Sequence, residues 1–348
     1  MAITDAPSAK KRINTIGLER ADYKGKPSTL CKGCGHDSIS SRIIEACYEL
    51  SISPTQVIKL SGIGCSSKSP AYWLGRAHGF NGTHGRMPSI ATGAVVANHK
   101  LIAIGVSGDG DTGNIGMGQF KHIMRRNLPM VYIVENNGVY GLTKGQFSAT
   151  ADVGSQSKYY GLNEFPAIDL CMEALVADCT FVARSFAGDP KQVTQLLKAA
   201  ISHEGTAFLD IISPCVTFNN HDDSTKSYTW GRSHEDPVHD LTYVAPQEEI
   251  RVDYEAGKVQ LVEMHDGSLI QLHKLEEDYD PTNRIDALRL LDHARANREF
   301  VTGLLFVDRS RPGFIEYEKL SNRPLARLPN NRLRPPREAL DEVMAEFR

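Results

Sequence analysis

The sequence predicts an α/β protein whose mostly parallel sheet is covered by helices on both faces. Segments typical of strands and of helices alternate from about residue 37 to residue 212, and this alternation favours parallel strands joined by helices. Residues 101–144, which we call the central unit, show the repeat most clearly. After Trp230 the pattern changes to short runs of alternating polarity, which predict a smaller antiparallel meander.

The central unit reads as a strand, a helix and a second strand. The apolar run at residues 101–106 ends shortly before Asp109, and the run at residues 130–134 ends shortly before Asn137. The helical pattern between them puts Ile115 on the apolar face. Such units form adjacent parallel strands with a right-handed crossover. We therefore expect both polar side chains at the carboxyl edge of the sheet, where open α/β sheets bind ligands.

A carboxylate and an amide oxygen at this edge form half of a site for Mg²⁺, which completes its shell with water and phosphate. The pattern therefore favours a metal-bridged diphosphate. Two alternatives compete. The first is a dinucleotide-binding site, because the G-x-G-x-x-G fingerprint of such proteins is matched by Gly108, Gly110 and Gly113. The second is a glycine-rich turn with solvated acids. Asp109 and Asp111 argue against a dinucleotide, because carboxylates repel phosphates unless a cation stands between them.

The remaining elements continue the alternation along the chain. Helices are predicted at residues 37–50, 89–98 and 190–203, strands at residues 57–60, 181–185 and 207–212, an apolar segment at residues 169–177, and loops at residues 61–65 and 84–88.

The last third is predicted to be an appendage that packs on the core or on a partner. Its elements are short strands at residues 249–254, 258–264 and 269–274, a helix at residues 284–298, a strand at residues 303–307 and a final helix at residues 338–347. We therefore divide the chain into an N-terminal arm (residues 1–30), an α/β domain (residues 31–230) and a C-terminal appendage (residues 231–348).

The composition excludes several classes of protein. The formal net charge of the 348 residues is −3, which leaves no basic footprint for nucleic acid or for an anionic membrane. The first thirty residues lack the apolar stretch of a secretory signal, and no apolar run reaches the roughly 20 residues that span a bilayer. We therefore expect a cytoplasmic protein.

The seven cysteines fall into two groups. Cys47, Cys171 and Cys179 lie in apolar segments and are predicted to be buried. The others stand beside glycine or proline, at Cys31, Cys34, Cys65 and Cys215. A C-x-x-C pair alone also suits a redox dithiol or half of a zinc site. An iron–sulfur cluster is favoured over zinc, because one close pair meets two distant single cysteines rather than a second close pair.

The central unit also carries a family resemblance. Gly108-Asp109-Gly110, followed after twenty-five residues by Asn136-Asn137, looks like the thiamine diphosphate motif. The run at residues 137–146, NGVYGLTKGQ, is similar to the β subunit of 2-oxoacid:ferredoxin oxidoreductases, particularly the 2-oxoglutarate branch. The resemblance extends from about Cys31 to about Trp230 and implies the thiamine diphosphate-binding fold for this part of the chain.

The resemblance implies three resident cofactors and assigns residues to each. Mg²⁺ would be held by the side chains of Asp109 and Asn137 and by the carbonyl of Val139. A [4Fe–4S] cluster would be held by Cys31, Cys34, Cys65 and Cys215. Thiamine diphosphate would be bound by Ile63, Gly64, Cys65, Ser66, His84, Gly108, Gly110, Asp111, Thr112, Asn137, Gly141, Leu142 and Thr143.

The resemblance also implies residues that meet the substrate. Lys68 resembles the position that meets the distal end of the substrate, while His84 and Arg86 would hold the diphosphate or the substrate. Leu142 and Lys144 resemble positions that line the substrate pocket and the entry of coenzyme A. Read without the family, both lysines are solvated surface charges and His84 is an ordinary loop histidine.

The activity implied is the coenzyme A-dependent oxidative decarboxylation of 2-oxoglutarate to succinyl-CoA, with electrons passed to ferredoxin and the reaction reversible in principle. Thiamine enzymes also need a glutamate against the aminopyrimidine, and the family places it on an α subunit. A heterotetramer is therefore expected. The alternatives are a pyruvate or broad 2-oxoacid enzyme, a non-oxidative thiamine diphosphate decarboxylase or synthase with a structural zinc, and an iron–sulfur subunit without its own chemistry.

Overall fold

A nine-stranded sheet, flanked by two short two-stranded ribbons, organises the chain. The computed structural model describes residues 13–157, 160–216, 248–264 and 269–347. The strands are β1 (Val57–Ser61), β2 (His78–Asn81), β3 (Ile102–Gly108), β4 (Met130–Asn136), β5 (Val139–Tyr140), β6 (Gln146–Phe147), β7 (Gln156–Ser157), β8 (Gly161–Leu162), β9 (Phe181–Phe186), β10 (Thr206–Ile212), β11 (Val259–Glu263), β12 (Leu269–Lys274) and β13 (Glu299–Val307).

The order of strands in the large sheet is β11-β12-β13-β9-β10-β4-β3-β1-β2. The six strands from β9 to β2 run parallel to one another. β13 joins this block antiparallel to β9, β12 runs parallel to β13, and β11 closes the edge antiparallel to β12. The predicted α/β class with a mostly parallel sheet is confirmed.

Helices cover both faces of the sheet. They are α1 (Gly35–Glu49), α2 (Met87–Ala97), α3 (Met117–Arg126), α4 (Leu170–Val176), α5 (Pro190–Ile201), α6 (Arg284–Ala296), α7 (Phe314–Tyr317), α8 (Asn330–Leu333) and α9 (Arg337–Glu346). One core packs α1 and α5 against the sheet, and the other packs α2, α3, α4 and α6 against the opposite face. Because apolar layers lie on both sides, β4 is buried at all seven of its residues.

The strand–helix–strand prediction for the central unit is confirmed, with one difference at the start of the helix. A single π-helical turn, Asp111–Ile115, precedes α3, and the N–H of Gly116 donates to the carbonyl of Asp111 at 2.8 Å. This wide turn rotates the side chains that precede α3 relative to an α-helix. Ile115, predicted on the apolar face, is therefore 48% exposed.

The described part of the C-terminal region extends the main sheet through β13, which pairs with β9. The hairpin of β11 and β12 is antiparallel as predicted, and its turn lies outside the described residues. The strand predicted at residues 249–254 is wrong: this segment bonds to a loop, where Val252 donates to the carbonyl of Gly188 at 2.7 Å. Its apolar side chains pack beside β12, so their alternation reflects burial without a strand ladder. The proposed boundary at residue 230 lies outside the described residues.

The described part of the N-terminal arm is anchored to the core. Tyr23, on the short 3₁₀ turn Arg20–Tyr23, is fully buried, and its hydroxyl accepts a 2.7 Å hydrogen bond from the amide of Asn14. Within the described ranges, each helix is too short or too polar to cross a lipid bilayer.

Candidate active site

Loops from the carboxyl ends of β1, β3 and β4 meet around a cleft of about 290 Å³. It is lined by His36, Ile63, Gly64, Cys65, Ser66, Gly108, Asp109, Gly110, Asp111, Glu135, Asn137, Val139, Tyr140 and Gly141. Most of these residues were singled out from the sequence. The fold therefore brings the glycine loop after β1 together with the two polar strand ends of the central unit.

Asp109 is the buried carboxylate of the cleft, with 1% of its surface exposed. One of its oxygens accepts hydrogen bonds from the hydroxyls of Ser148 and, at 2.6 Å, of Thr150. The other accepts the N–H of Asn137 at 3.3 Å. Burial raises the pKa of Asp109, while the hydroxyl donors lower it. These bonds orient the carboxylate firmly, as a metal ligand requires.

The two adjacent asparagines have different partners. The amide nitrogen of Asn136 donates to Asp210 at 3.0 Å, and its oxygen lies 2.9 Å from the hydroxyl of Thr150, whose single proton it shares with Asp109, so both ends of this side chain have partners inside the protein. Asn137 lines the cleft, and its side-chain oxygen accepts the N–H of Val139 at 3.1 Å. Gly138 permits this tight turn because its φ is +70°. Asn137, with Asp109 and the carbonyl of Val139, therefore offers a hard oxygen donor set that suits Mg²⁺.

Asp111 ties the surrounding loops together. Its carboxylate accepts the N–H of Gly85 at 2.7 Å and the hydroxyl of Ser107 at 2.8 Å. Gly62 must be glycine here, because a Cβ would lie 2.3 Å from an oxygen of Asp111. The hydroxyl of Thr112 donates to Ser107 at 3.1 Å. The sequence analysis assigned Asp111 and Thr112 to the cofactor. In the fold, their side chains hold together the loops around the cleft.

The glycine loop after β1 leaves space at the cleft wall. Gly64 has φ +89°, a value that side chains rarely allow, and a Cβ added there would meet nothing within 4 Å. Ser67 donates to the carbonyl of Gly64 at 2.7 Å, which holds the loop against the turn Cys65–Ala71. A bare backbone facing a cleft is the kind of cradle that a diphosphate or a ring can approach closely.

Three residues of the cleft were missed from the sequence, namely His36, Glu135 and Tyr140. Glu135 is fully buried at the end of β4 and accepts the hydroxyl of Ser69, with 2.9 Å to each carboxyl oxygen. Its carboxyl lies 3.7 Å from Nδ1 of His36, which also makes a 2.6 Å hydrogen bond with Ser213.

Burial determines the protonation of Glu135 and His36. It raises the pKa of Glu135 well above its ordinary value and lowers that of His36 to about 4. His36 is therefore neutral at pH 7, and its contact with Glu135 is not an ion pair. Because β4 consists mostly of apolar residues, the local sequence did not indicate that the carboxyl group of Glu135, at its end, would be buried.

Tyr140 closes one side of the cleft. A Cβ on Gly110 would lie 2.4 Å from the ring of Tyr140, so this ring packs directly on the glycine. Its hydroxyl donates to Asn114 at 3.1 Å. The requirement for glycine at this position therefore comes from a contact across the cleft, which local sequence does not reveal.

The segments that carry the four predicted ligand cysteines converge beside the cleft. The N–H of Gly35 donates to the carbonyl of Pro214 at 3.3 Å, which joins the C-x-x-C loop to the segment of Cys215. Burial and, next, the neighbouring Cys215 raise the pKa of the Cys65 thiol to about 11, while the charge of Lys68 opposes the rise. Cys34 is affected by Cys215 and Cys65 in the same way. These thiols therefore lie close enough to influence one another.

The other three cysteines, Cys47, Cys171 and Cys179, are buried as predicted. Burial raises the pKa of each thiol. In the described ranges, no three His, Cys, Asp or Glu side chains are grouped tightly enough to hold a single metal ion.

Comparison with known proteins agrees with this geometry. Residues 62–211 match the family described as thiamine pyrophosphate enzyme, C-terminal TPP binding domain. A 2-oxoacid:ferredoxin oxidoreductase subunit beta from Saccharolobus solfataricus is 40% identical over 222 residues, which cover 63% of this chain and 72% of that protein. This chain belongs to the 2-oxoacid:ferredoxin oxidoreductase β-subunit family.

Two further relatives lie on the 2-oxoglutarate branch of the family by name. The 2-oxoglutarate oxidoreductase subunit KorB from Mycobacterium tuberculosis is 40% identical over 192 residues, which cover 55% of this chain and 51% of that protein. A solved 2-oxoglutarate:ferredoxin oxidoreductase from Magnetococcus marinus, with 2-oxoglutarate, coenzyme A and succinyl-CoA bound, superposes with a TM-score of 0.69. It is 29% identical, and the match covers 94% of this chain and 98% of that one.

In this β-subunit homologue, the residues predicted to meet substrate are not among those that line the cleft, but lie on segments that adjoin its lining residues. Lys68 is partly buried on the turn that begins at Cys65. His84 and Arg86 are exposed on either side of the anchored Gly85. Leu142, Thr143 and Lys144 are exposed on the loop between β5 and β6, next to Gly141 of the cleft wall. Their roles remain predictions.

Proposed function

We propose that this chain is the β subunit of a 2-oxoglutarate:ferredoxin oxidoreductase that forms succinyl-CoA and CO₂ from 2-oxoglutarate and coenzyme A. The observation that carries the proposal is the position of Cys65. Its loop lines the cleft that contains Asp109 and Asn137, and its thiol interacts with Cys215 and Cys31. One short loop would thus connect the site of carbon chemistry to the site of electron transfer.

The residues present fit the cofactors of such an enzyme. Asp109, Asn137 and the carbonyl of Val139 would hold Mg²⁺ beside the diphosphate, with the bare backbone of Gly64 facing the rest of the cofactor. Cys31, Cys34, Cys65 and Cys215 would hold a [4Fe–4S] cluster. When bound, thiamine diphosphate supplies an electron sink for decarboxylation, and the cluster supplies one-electron transfer to ferredoxin.

Thiolates that bind different irons of a cluster are spread more widely than the ligands of one zinc ion. One close pair with two distant single cysteines therefore favours the cluster over a structural zinc. Reduced cysteines in this number also suit the cytoplasm, where disulfides are rare.

The chain's own residues would bind and orient the substrate. Lys68, partly buried beside Cys65, would pair with the distal carboxylate of 2-oxoglutarate. Arg86 and His84 would meet the diphosphate or the 2-oxoacid carboxylate. Leu142 and Lys144, exposed on the loop between β5 and β6, would border the entry of coenzyme A.

The proposal includes an α subunit in a heterotetramer. Among the described residues that line the cleft, the single glutamate is Glu135, and its carboxyl is occupied by Ser69. The glutamate that thiamine enzymes place against the aminopyrimidine would therefore come from the partner.

The test is co-expression with the α subunit encoded beside it, followed by viologen reduction with 2-oxoglutarate, pyruvate and other 2-oxoacids in the presence of coenzyme A. We expect the highest kcat/KM with 2-oxoglutarate, together with about four irons per chain and a reducible cluster. Preference for pyruvate would favour the pyruvate or broad alternative. Turnover of the 2-oxoacid without viologen reduction, in a protein that contains zinc in place of iron, would favour the non-oxidative decarboxylase or synthase.

A further inference from the structure

Arg184 is a buried guanidinium that the proposed chemistry does not use. It lies on β9 with its side chain 4% exposed, donates from Nε to Asp210 at 2.9 Å, and donates from Nη2 to Asp169 at 2.7 Å. Buried ion pairs contribute little net stability, since desolvating the charges costs about as much as pairing them returns. A buried arginine at this position therefore suggests a role for Arg184 beyond holding β9 to β10.

The two carboxylate partners of Arg184 serve different structures. Asp169 is the N-cap of α4 and accepts the N–H groups of Cys171 and Met172, at 2.9 and 3.0 Å. Asp210 directs its second oxygen toward β4, where it accepts the amide of Asn136 at 3.0 Å. Among the side-chain hydrogen bonds of the described residues, those of Asp210 lead on to Asn136 and the cleft, whereas those of Asp169 end on α4.

The direction of these bonds can be assigned from donor and acceptor chemistry. Arg184 can only donate, so the Asp210 carboxylate accepts, and Asn136 must present its NH₂ group to it. The side-chain oxygen of Asn136 is then turned toward Thr150, whose single hydroxyl proton is shared between that oxygen, at 2.9 Å, and the nearer carboxylate of Asp109, at 2.6 Å. Rotating this amide by half a turn would put its oxygen against the Asp210 carboxylate.

We propose that Asp210 and Arg184 are positioning residues for the metal ligand Asp109, acting through the amide of Asn136 and the hydroxyl of Thr150. This inference rests on the proposed magnesium site. The relay holds Thr150, together with Ser148, on one oxygen of Asp109. The other oxygen is left to the side of the cleft where Asn137 lies.

The test measures Mn²⁺, as a paramagnetic substitute for Mg²⁺, binding to the αβ complex in the presence of thiamine diphosphate. Asp210→Asn should weaken Mn²⁺ binding about tenfold, with iron content unchanged. Asp169→Asn is the control: the side chain of Asp169 is 17% exposed, and the substitution removes the other ion-pair partner of Arg184. It should lower the melting temperature and leave the Mn²⁺ affinity near that of the wild type.

A second pair of variants keeps the proposal testable if Asp210→Asn does not fold. Thr150→Val removes the hydroxyl at constant shape and should weaken Mn²⁺ binding, whereas Thr150→Ser should restore it. Wild-type affinity in Asp210→Asn or Thr150→Val, or equal weakening in Asp169→Asn, would overturn the relay. If the wild type and Asp109→Asn bind Mn²⁺ with equal affinity, the assignment of the magnesium site is wrong, and so is the proposed relay.

Discussion

The carboxylate of Asp111 accepts the backbone N–H of Gly85 at 2.7 Å, and this bond joins the loop after β2 to the turn that begins at Asp111. Gly85 has φ +68°, and a Cβ there would lie 2.9 Å from backbone atoms of residues 115 and 116. The exposed His84 and Arg86 therefore extend from a backbone that is fixed between them. Asp111, which the sequence analysis assigns to cofactor binding, thus also sets the position of the loop that carries His84 and Arg86.

Asp111→Ala should destabilise the protein by about 1–3 kcal/mol, because the N–H of Gly85 and the hydroxyl of Ser107 lose a buried acceptor. Chemical denaturation measures this loss. Asp292→Ala, on an exposed position of α6, should change the free energy of unfolding by less than about 0.5 kcal/mol. Equal effects of the two substitutions would contradict the anchoring role of Asp111.

Asp109→Ala should abolish retention of Mg²⁺ and thiamine diphosphate while leaving the cluster in place. The carboxylate compensates the charge of the metal, and its oxygens are oriented by Ser148, Thr150 and the N–H of Asn137. Thiamine diphosphate and iron are assayed after desalting of the αβ complex. Stoichiometric cofactor in the variant would show that the metal assignment is wrong.

Cys215→Ala should lose the cluster or leave it sensitive to oxygen, because four thiolates are needed to complete its ligation. Cys47→Ala is the matched control, since this thiol is fully buried on α1 away from the cleft. Iron analysis and the visible absorbance that bleaches with dithionite distinguish the two. Similar iron loss in both variants would refute the separation of core and ligand cysteines.

Lys68→Ala should reduce kcat/KM for 2-oxoglutarate by about ten- to a hundredfold, mainly through KM, because a charge-assisted bond to the distal carboxylate is lost. Pyruvate has no distal charge, so its kcat/KM should change by less than about threefold. The exposed Lys100→Ala serves as a control for altered surface charge. Equal losses on both substrates would mean that Lys68 serves the common carboxylate or the cofactor.

Lys59 predicts a pH dependence of stability. Its ammonium, on β1, donates to the carbonyls of Pro70 and Trp73 at 2.7 and 2.9 Å, and burial lowers its pKa from 10.5 to about 8. Between these two values the unfolded chain binds more protons than the folded one, so the free energy of unfolding should rise from pH 8 to 10.5 through this residue.

Denaturation of the wild type and of Lys59→Met at several pH values tests this expectation. The variant cannot titrate at this position, so the difference in stability between the two proteins should change across the window. A constant difference from pH 7 to 10.5 would show that Lys59 does not titrate there.

Local sequence predicted most helices and strands to within a few residues, because periodic apolar positions report which faces are buried. The same pattern failed at residues 249–254, where alternating apolar side chains are partly buried without strand pairing. It also failed at Ile115, because a π-helical turn changes the rotation of the chain without an evident change in hydrophobicity.

The sequence by itself determined the parallel sheet, the polar ends of β3 and β4, and the grouping of the cysteines by their neighbours, since each of these depends on short segments. Only the tertiary structure showed that Asn136 bonds to Asp210, and that Glu135 bonds to Ser69. It alone revealed the relay from Arg184 to Asp109. The physical reason is that these contacts join strands and loops far apart in the chain, and their geometry exists only once both faces of the sheet are packed.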